Sequence, residues 1–397
     1  MKTFVAAGLC FVLSTGFAAA QERWQLVGQL EMDRGERVGP LTVSPMGELV
    51  AGSLWDAEQE FRGRVWTLSD GIAIADLDAV FPSLLPIRFA QRAYDPQTMS
   101  ARVYAHSRRS LRSWALTGGA PVLDLTFESD VLANDALFDG FRQTFIVSAS
   151  IGPLWVYSAA GEALGVIETD AMRPHGAMTL SADGEELVVN SSAFTLTGQM
   201  DGIPYQCTDG SCQEAYAQLP GSYGPYEELL AVNPARQWLA TLAPIDPEHL
   251  AQAGGTFHPV AEPTVRLWAN VEAWDTDTPP MLTLTGFRQP VRAGEFSADG
   301  QRLLTLDTGN DLAVWNVETG ARELALEEII TAHFIPDSKT LFVHRADGAS
   351  MIVAIGEGRV VQTFPDTAED AVIAPDGQVL ITYSPGQQGP ARVWRRQ

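Results

Sequence analysis

Residues 291–324 read VRAGEFSADGQRLLTLDTGNDLAVWNVETGAREL. This segment holds three short apolar runs separated by Ser-Ala-Asp-Gly, Asp-Thr-Gly-Asn-Asp and Glu-Thr-Gly, and a fourth run begins at Ala321. Runs this short, bounded by residues that favour turns, predict β-strands joined by tight turns rather than helices. A lone four-stranded sheet would leave its faces in water and its edges open. The segment therefore predicts one unit in an assembly of similar sheets.

Two features of this unit recur along the chain. The first is a turn of the Ser-Ala-Asp-Gly type between the first and second strands, at 44–47, 181–184, 233–236, 297–300, 335–338 and 374–377, with shorter versions after Phe89 and Phe138. The second is a third strand that carries a bulky side chain, at Trp66, Trp114, Trp155, Tyr205, Trp268, Trp315, Val353 and Trp394. A four-stranded unit that repeats about every 40 to 50 residues is typical of a β-propeller.

This pattern resembles the WD-type (WD40) repeat family. The resemblance is clearest at 301–316, where Asp311 precedes the strand LAVW in the position of the family's tight-turn aspartate, and Trp315 lies on the third strand. Gly286-Phe287 stands where the family often has Gly-His. The resemblance covers most of the chain and implies a fold, but it does not transfer a reaction.

Counting strands predicts how the propeller closes. The last unit, residues 371–396, supplies three strands, and WQLVGQLEM near the N-terminus can supply the fourth. Pairing them would leave no open edge in the ring. We therefore expect an all-β chain with a single β-propeller domain at 21–397, eight four-stranded blades and a ring closed by the N-terminal strand. Seven blades is the alternative, since the units around Phe89 and Phe138 are poorly marked.

The N-terminus has the pattern of a secretory signal peptide. One basic residue precedes an apolar run, and Ala18-Ala19-Ala20 forms a small-residue cleavage site, which predicts a signal peptide at 1–20. The run is too short and too interrupted for a membrane span of about 20 apolar residues. We expect a periplasmic or secreted protein without membrane insertion.

The charge argues against some partners. The formal net charge is −23, so the protein should repel nucleic acid and anionic lipid surfaces.

Cys207 and Cys212 flank Thr-Asp-Gly-Ser, a turn sequence. In an oxidising compartment this spacing predicts a disulfide across a hairpin, with a redox or metal role as the alternative.

Three long loops predict a partner-binding surface. They span 191–202, 220–228 and 244–263. As connections between second and third strands, or between one unit and the next, all three should project from one face of the fourth and fifth units. We call this predicted surface the crest. Its partner-binding candidates are Phe194, Tyr223, Tyr226, Phe257 and His258. Aromatic residues on glycine-rich loops are typical of protein interfaces, although they could instead pack against each other.

Other polar residues are weaker candidates. Arg108, Arg109 and Arg112 form a basic cluster on the same face, either as solvated surface or as an anion site. The histidines show no close metal-ligand spacing, and His333 and His344, in or beside predicted strands, are expected to be hydrogen-bonded structural groups.

No linear catalytic motif is present, neither GxSxG, HExxH, a Walker loop nor GxGxxG. The sequence therefore favours an exported, non-catalytic scaffold that binds a protein, with no cofactor and no metal. The alternative is a propeller enzyme, such as a hydrolase, a lyase or a cofactor-dependent oxidoreductase, whose site lies in the axial channel and is built from residues of separate blades.

Overall fold

The computed structural model describes residues 23–58, 60–78, 80–81, 86–90, 102–128, 131–140, 142–149, 153–167, 178–180, 186–189, 192–196, 216–222, 228–233, 238–242, 263–269, 280–365 and 367–397. Across these ranges the regular structure consists of β-strands alone. No helix in this part of the chain is long and apolar enough to cross a membrane.

The chain enters the fold through β1 (Trp24–Gln29), and then forms seven antiparallel sheets of four consecutive strands each. Sheet 1 contains β2 (Arg37–Val43), β3 (Leu49–Trp55), β4 (Phe61–Thr67) and β5 (Ala73–Leu77). Sheet 2 contains β6 (Arg88–Phe89), β7 (Arg102–His106), β8 (Ser110–Ala115) and β9 (Leu123–Thr126). Sheet 3 contains β10 (Ala133–Asp139), β11 (Thr144–Ala149), β12 (Leu154–Ser158) and β13 (Ala163–Ile167).

The same order continues through the second half of the chain. Sheet 4 contains β14 (Met178–Leu180), β15 (Glu186–Val189), β16 (Ser192–Leu196) and β17 (Tyr216–Ser222). Sheet 5 contains β18 (Glu228–Val232), β19 (Trp238–Leu242), β20 (Val265–Ala269) and β21 (Leu282–Leu284). Sheet 6 contains β22 (Val291–Phe296), β23 (Arg302–Asp307), β24 (Leu312–Asn316) and β25 (Arg322–Leu326). Sheet 7 contains β26 (Ile329–Phe334), β27 (Thr340–Arg345), β28 (Ser350–Ala354) and β29 (Val360–Thr363).

The last sheet combines the two ends of the chain. β30 (Asp370–Ile373), β31 (Val379–Tyr383) and β32 (Arg392–Arg396) form three of its strands, and β1 pairs with β32 as the fourth. Trp24 lies opposite Arg396, and Leu26 lies opposite Trp394. The Trp24 side chain is buried in one apolar cluster with Phe364 and Trp394. We call this mixed sheet sheet 8.

The hydrophobic core lies between neighbouring sheets. One buried cluster joins Leu77 of sheet 1 to Trp114 of sheet 2, and others join sheets 2 and 3, 5 and 6, 6 and 7, 7 and 8, and 8 and 1. The second strands are largely apolar because both of their faces are covered; β3, for example, is buried at every residue. Sheets that share their cores in chain order around a common axis make the fold a β-propeller.

Two third-strand positions differ from the prediction. In sheet 4 the third strand is β16, not a strand at Tyr205, which lies outside the described residues. Val189 and Ser192 pair directly, so only two residues separate β15 from β16. Residues 192–196 are therefore strand, and the predicted loop at 191–202 is wrong. The glycine after Tyr205, which marked the predicted third strand, lies in the longer connection between β16 and β17.

In sheet 3 the buried aromatic position belongs to Tyr157 rather than Trp155. Tyr157 lies opposite Phe145 and follows a register shift, as Trp315 does opposite Leu303 in sheet 6. Tyr157 is buried, whereas Trp155 lies at the border of its cluster. The predicted placement of Trp155 on the third strand is confirmed, since β12 contains it, but the register position that the other units give to tryptophan falls two residues later, on the same side of the strand.

Candidate functional site: the wall of the axial channel

The first strands of neighbouring sheets lie beside one another, which makes them the innermost strands of the propeller. Contacts between first strands join β30 to β2, β2 to β6, β10 to β14, β18 to β22, β22 to β26 and β26 to β30. Polar side chains on these strands therefore face the axial channel or the first strand of the next sheet. This is where a site could be assembled from separate sheets without any linear motif.

His333 on β26 is held between two carboxylates from the sheets on either side. Its Nδ1 lies 3.1 Å from Oε2 of Glu295 on β22, and its Nε2 lies 2.9 Å from Oδ1 of Asp370 on β30. The side chain of His333 is 36% exposed, that of Glu295 is 37% exposed and that of Asp370 is 28% exposed. One imidazole thus links sheets 6, 7 and 8.

The chain of hydrogen bonds continues into sheet 1. The Tyr383 hydroxyl on β31 donates to Oδ2 of Asp370 at 3.0 Å, and the backbone N–H of Leu41 on β2 donates to the Tyr383 oxygen at 3.2 Å. At the other end, Oε1 of Glu295 accepts the backbone N–H of Phe334 at 3.1 Å. We call Glu295, His333, Asp370 and Tyr383 the channel cluster.

The geometry fixes the protonation of His333. Both of its ring nitrogens face carboxylate oxygens, and only the imidazolium can donate from both nitrogens at once. Burial opposes this charge, but the hydrogen bonds with Asp370 and Glu295, and the charges of those carboxylates, outweigh burial and raise the pKa of His333 to about 10. Burial and the charge of Asp370 also raise the pKa of Tyr383, which therefore stays neutral at pH 7.

This chemistry suits a cross-link better than acid–base catalysis. A general base needs a free lone pair and a pKa near the working pH, whereas both nitrogens of His333 are committed to carboxylates and the imidazole is protonated. The carboxylates of Glu295 and Asp370 accept hydrogen bonds within the protein at both of their oxygens. Within the described ranges, no group of three or more His, Cys, Asp or Glu residues is arranged to hold a metal ion.

A second polar link joins sheets 2, 3 and 4. Oδ1 of Asp135 on β10 lies 2.7 Å from Nη1 of Arg88 on β6, and its Oδ2 accepts the backbone N–H of Met178 on β14 at 3.0 Å. Nε2 of His106 lies 3.7 Å from Oδ1 of Asp135. Burial works to raise the pKa of Asp135, but the nearby His106 imidazole and the charge of Arg88 hold it below its usual value. Like the channel cluster, this group connects neighbouring first strands.

The third-strand tryptophans have a recurring partner that sequence reasoning missed. In sheets 5, 6 and 8 the indole N–H donates to a threonine hydroxyl on the second strand, in the pairs Trp268 and Thr241 at 2.9 Å, Trp315 and Thr305 at 2.8 Å, and Trp394 and Thr382 at 2.8 Å. The signal was present, because the second strands LATL, LLTL and LITY carry threonine at the same place. The Phe287 ring centroid lies 5.3 Å from that of Trp315, with the ring planes tilted by 53°.

The channel cluster itself had little sequence signal. His333 lies 38 residues from Glu295 and 37 from Asp370, about one repeat in each direction. No local spacing reveals such a group, because its members come from three separate sheets. The prediction that His333 and His344 are hydrogen-bonded structural groups is confirmed, since Nδ1 of His344 lies 3.1 Å from the Ser350 hydroxyl.

Most of the predicted partner-binding residues cannot be placed. Tyr223, Tyr226, Phe257 and His258 lie outside the described residues, as do Cys207 and Cys212. Phe194 lies in β16, opposite Leu187 of β15, and not in a loop. The crest therefore loses its first loop. The second, predicted at 220–228, is shorter than predicted because β17 extends to Ser222 and β18 begins at Glu228. The third remains as the connection from β19 to β20. Both are of the kinds that share one face in a propeller.

The comparisons with known proteins concern the fold. No protein-family model and no curated protein matches the chain. Among solved structures, the computationally designed Ika8 protein is 15% identical with a TM-score of 0.60, over 94% of this chain and 99% of that one. The C-terminal WD40 domain of Sif2 is 14% identical with a TM-score of 0.59, over 94% of this chain and 98% of that one. The chain therefore has the fold of a WD40-type β-propeller, as the repeat resemblance implied.

Proposed function

We propose that this protein is an exported, non-catalytic scaffold of the cell envelope that binds a protein partner. The partner would bind on the face that carries the connections between second and third strands and between successive sheets, which we call the loop face. The observation that carries this proposal is the commitment of the channel cluster to cross-linking sheets. With Glu295, His333 and Asp370 engaged with each other, the loops remain as the variable, partner-accessible part of a rigid platform.

Two connections of the loop face, on neighbouring sheets, carry the predicted aromatic residues. One runs from β17 to β18 and holds Tyr223 and Tyr226, and the other runs from β19 to β20 and holds Phe257 and His258. Aromatic residues supply contact area at a low cost in side-chain entropy. The proposal therefore places the partner over sheets 4 and 5.

Export is supported by the N-terminal sequence. In this proposal residues 1–20 are removed as a signal peptide, and the mature chain acts in the periplasm or outside the cell. Cys207 and Cys212 lie between β16 and β17, where a disulfide would fasten a long connection in an oxidising compartment.

We also propose that the eight sheets form a closed ring of eight blades, fastened by β1. Support comes from the pairing of β1 with β32 and from the contact of β30 with β2, which brings sheet 8 against sheet 1. The seven-bladed alternative required the units around Phe89 and Phe138 to merge, yet each has four strands of its own, β6 to β9 and β10 to β13.

Deleting residues 251–258 tests the binding surface. Immobilised wild-type protein should retain a defined set of envelope proteins, identified by mass spectrometry, and the deletion variant should lose them while melting within a few degrees of wild type. A matched control is Val360→Ser, which removes an exposed apolar side chain from β29, far along the chain from the crest. Retention of the same proteins by the deletion variant would show that the crest is not the binding surface.

The alternative, an enzyme with its site in the channel, has a separate test. Protein purified from its native source would be analysed for metal content and for an absorbing cofactor. A tightly held metal or chromophore in stoichiometric amount would favour the enzyme and count against a purely structural channel cluster.

A further inference from the structure

We propose that Arg108 and Arg109 form a second binding point on the loop face, which takes a carboxylate-rich segment of a partner protein. This inference rests on the proposed function, because it names the chemistry of a further contact on the same face. It concerns sheet 2, in the turn between β7 and β8, and so does not involve the crest loops over sheets 4 and 5.

The turn that carries the two arginines is closed by its own hydrogen bonds. The backbone N–H of Ser107 donates to the carbonyl of Ser110 at 2.8 Å. The Ser107 hydroxyl oxygen accepts the backbone N–H groups of Arg109 at 3.2 Å and of Ser110 at 3.1 Å. A serine that accepts bonds from the residues two and three positions later fixes a tight turn.

The turn is also tied to the next connection of the loop face. The Arg109 carbonyl accepts the backbone N–H of Phe127, and the Arg108 carbonyl accepts that of Ala133, both at 2.9 Å. These donors lie just after β9 and at the start of β10, so the turn bridges sheets 2 and 3. Because the backbone is held on both sides, the two arginines are presented from a fixed base, and both are exposed.

Neither guanidinium is neutralised within the described part of the chain, where no carboxylate forms an ion pair with Arg108 or Arg109. Arg112, the third member of the predicted basic cluster, is different. Its Nε lies 2.8 Å from Oδ1 of Asp124, and its guanidinium lies 4.6 Å from the centre of the Phe81 ring. The sequence has 49 acidic residues against 26 lysines and arginines. Two adjacent unpaired arginines are therefore an exception to the charge of the whole molecule.

The chemistry of the pair selects its ligand. A guanidinium presents a planar fork of donors that fits a carboxylate with two parallel hydrogen bonds. The net charge of −23 repels an acidic partner at a distance, so recognition must occur at short range, between the arginines and a local run of Asp or Glu. Exposed ion pairs each change affinity only a few-fold, so this point would add to the contacts of the crest rather than replace them.

The test measures binding of a fluorescent octaglutamate peptide at about 50 mM salt. The variant with Arg108→Glu and Arg109→Glu should bind at least about tenfold more weakly than wild type. A control with Arg23→Glu and Arg395→Glu alters two exposed arginines, one just before β1 and one on β32, and changes the net charge by the same amount. It should stay within about twofold of wild type. A milder variant, Arg108→Gln with Arg109→Gln, tests the same pair if the charge-reversed variant folds poorly. Its affinity for the peptide should lie between those of the charge-reversed variant and the control.

Three outcomes would overturn the inference. These are no binding of octaglutamate by the wild-type protein, an equal loss of affinity in the two charge-reversed variants, or displacement of the peptide by inorganic phosphate at the same concentration, which would indicate an unselective anion site. The variant lacking residues 251–258 should bind octaglutamate as wild type does. Failure of the wild-type protein to bind the peptide, with crest-dependent capture intact, would thus remove this inference alone, whereas the failure of crest-dependent capture would count against the proposed function.

Discussion

At the scale of single residues, the third-strand tryptophans combine apolar burial with one satisfied hydrogen bond. Trp315 is 5% exposed, and its indole N–H donates to the Thr305 hydroxyl inside the sheet. A buried donor without a partner costs about 1 to 3 kcal/mol. The Thr305 hydroxyl therefore supplies the acceptor that the buried Trp315 N–H requires, and the two side chains act as a single unit of the core.

Replacing Thr305 by valine should separate the contribution of the hydrogen bond from that of apolar burial. Valine keeps the shape of threonine but leaves the Trp315 N–H without its acceptor, so the free energy of unfolding should fall by about 1 to 3 kcal/mol. Thr382→Val, which affects Trp394 in sheet 8, should cost a similar amount. Urea unfolding measures both. A cost near zero at either site would mean that the indole finds another acceptor.

The protonated state of His333 gives the protein a defined pH dependence. Its pKa in the folded protein is raised to about 10, from an unfolded value near 6.5. The stability that comes from its charge is therefore fully present below about pH 6.5 and is lost as the pH rises through about 10. Because about a third of the side chain is exposed to the channel, water screens the two ion pairs and reduces their contribution.

Thermal melting of wild type and His333→Gln from about pH 6 to about pH 10.5 would measure the stability that the charge of His333 contributes. The wild type should melt at the higher temperature at pH 6, since only the imidazolium bridges both carboxylates. The gap between the two proteins should narrow as the pH rises. A gap that stays constant across this range would mean that the charge of His333 does not stabilise the fold.

At the scale of elements, the turns between first and second strands contact the neighbouring sheet. The Asn233 side chain, which follows β18, donates to the Gly300 carbonyl of sheet 6 at 3.2 Å. Nη2 of Arg396, on β32, lies 2.7 Å from Oδ2 of Asp337, in the corresponding turn of sheet 7. On the face opposite the loops, the sheets are thus joined by their turns as well as by their cores.

Gly300 shows how closely these turns approach. It has φ of +69°, and a Cβ there would lie 2.1 Å from Nδ2 of Asn233. Gly377 has φ of +68° in the same turn of sheet 8, but its nearest neighbour would be 3.5 Å away. Gly300→Ala and Gly377→Ala should therefore share the backbone strain of a left-handed alanine. Gly300→Ala should cost about 1 kcal/mol more in denaturant unfolding, since it also breaks the Asn233 hydrogen bond. Equal costs would contradict the close approach.

The sequence predicted elements well where apolar runs alternate with marked turns. The strands of sheet 6 follow the runs of 291–324 closely, because each turn carries Gly, Asp or Asn at a position that favours it. Prediction failed at β16, where a two-residue connection without glycine gave no turn signal and the real long loop lay one strand later. Contacts between sheets, including the channel cluster, were out of reach because their members lie about one repeat apart.

At the scale of the whole molecule, the buried apolar clusters of the described residues lie between sheets rather than within one sheet. The apolar clusters are shared between neighbours, so the loss of one sheet uncovers the next on both sides. The channel cluster adds a polar link across sheets 6, 7, 8 and 1, which includes the sheet where the two ends of the chain meet. The closed ring proposed above should unfold cooperatively, and its weakest point should be the strand that joins it non-consecutively, β1.

The central claim is that β1 fastens the ring by pairing with β32, and an engineered cross-link tests it most directly. Gln25 and Arg395 lie opposite each other in this pair, and both are exposed. Directly opposed residues of antiparallel strands are close enough for a disulfide. A variant with Gln25→Cys and Arg395→Cys, in a background of Cys207→Ser and Cys212→Ser, would be oxidised while folded. The cross-linked peptides would then be identified by mass spectrometry, with Gln25→Cys and Glu323→Cys as the control pair.

The account predicts near-complete cross-linking between positions 25 and 395 in the native protein, little or none in the control, and a higher melting temperature for the oxidised form than for the reduced form. Cross-linking that appears only after denaturation, or that is no greater than in the control, would show that the N-terminal strand does not close the propeller.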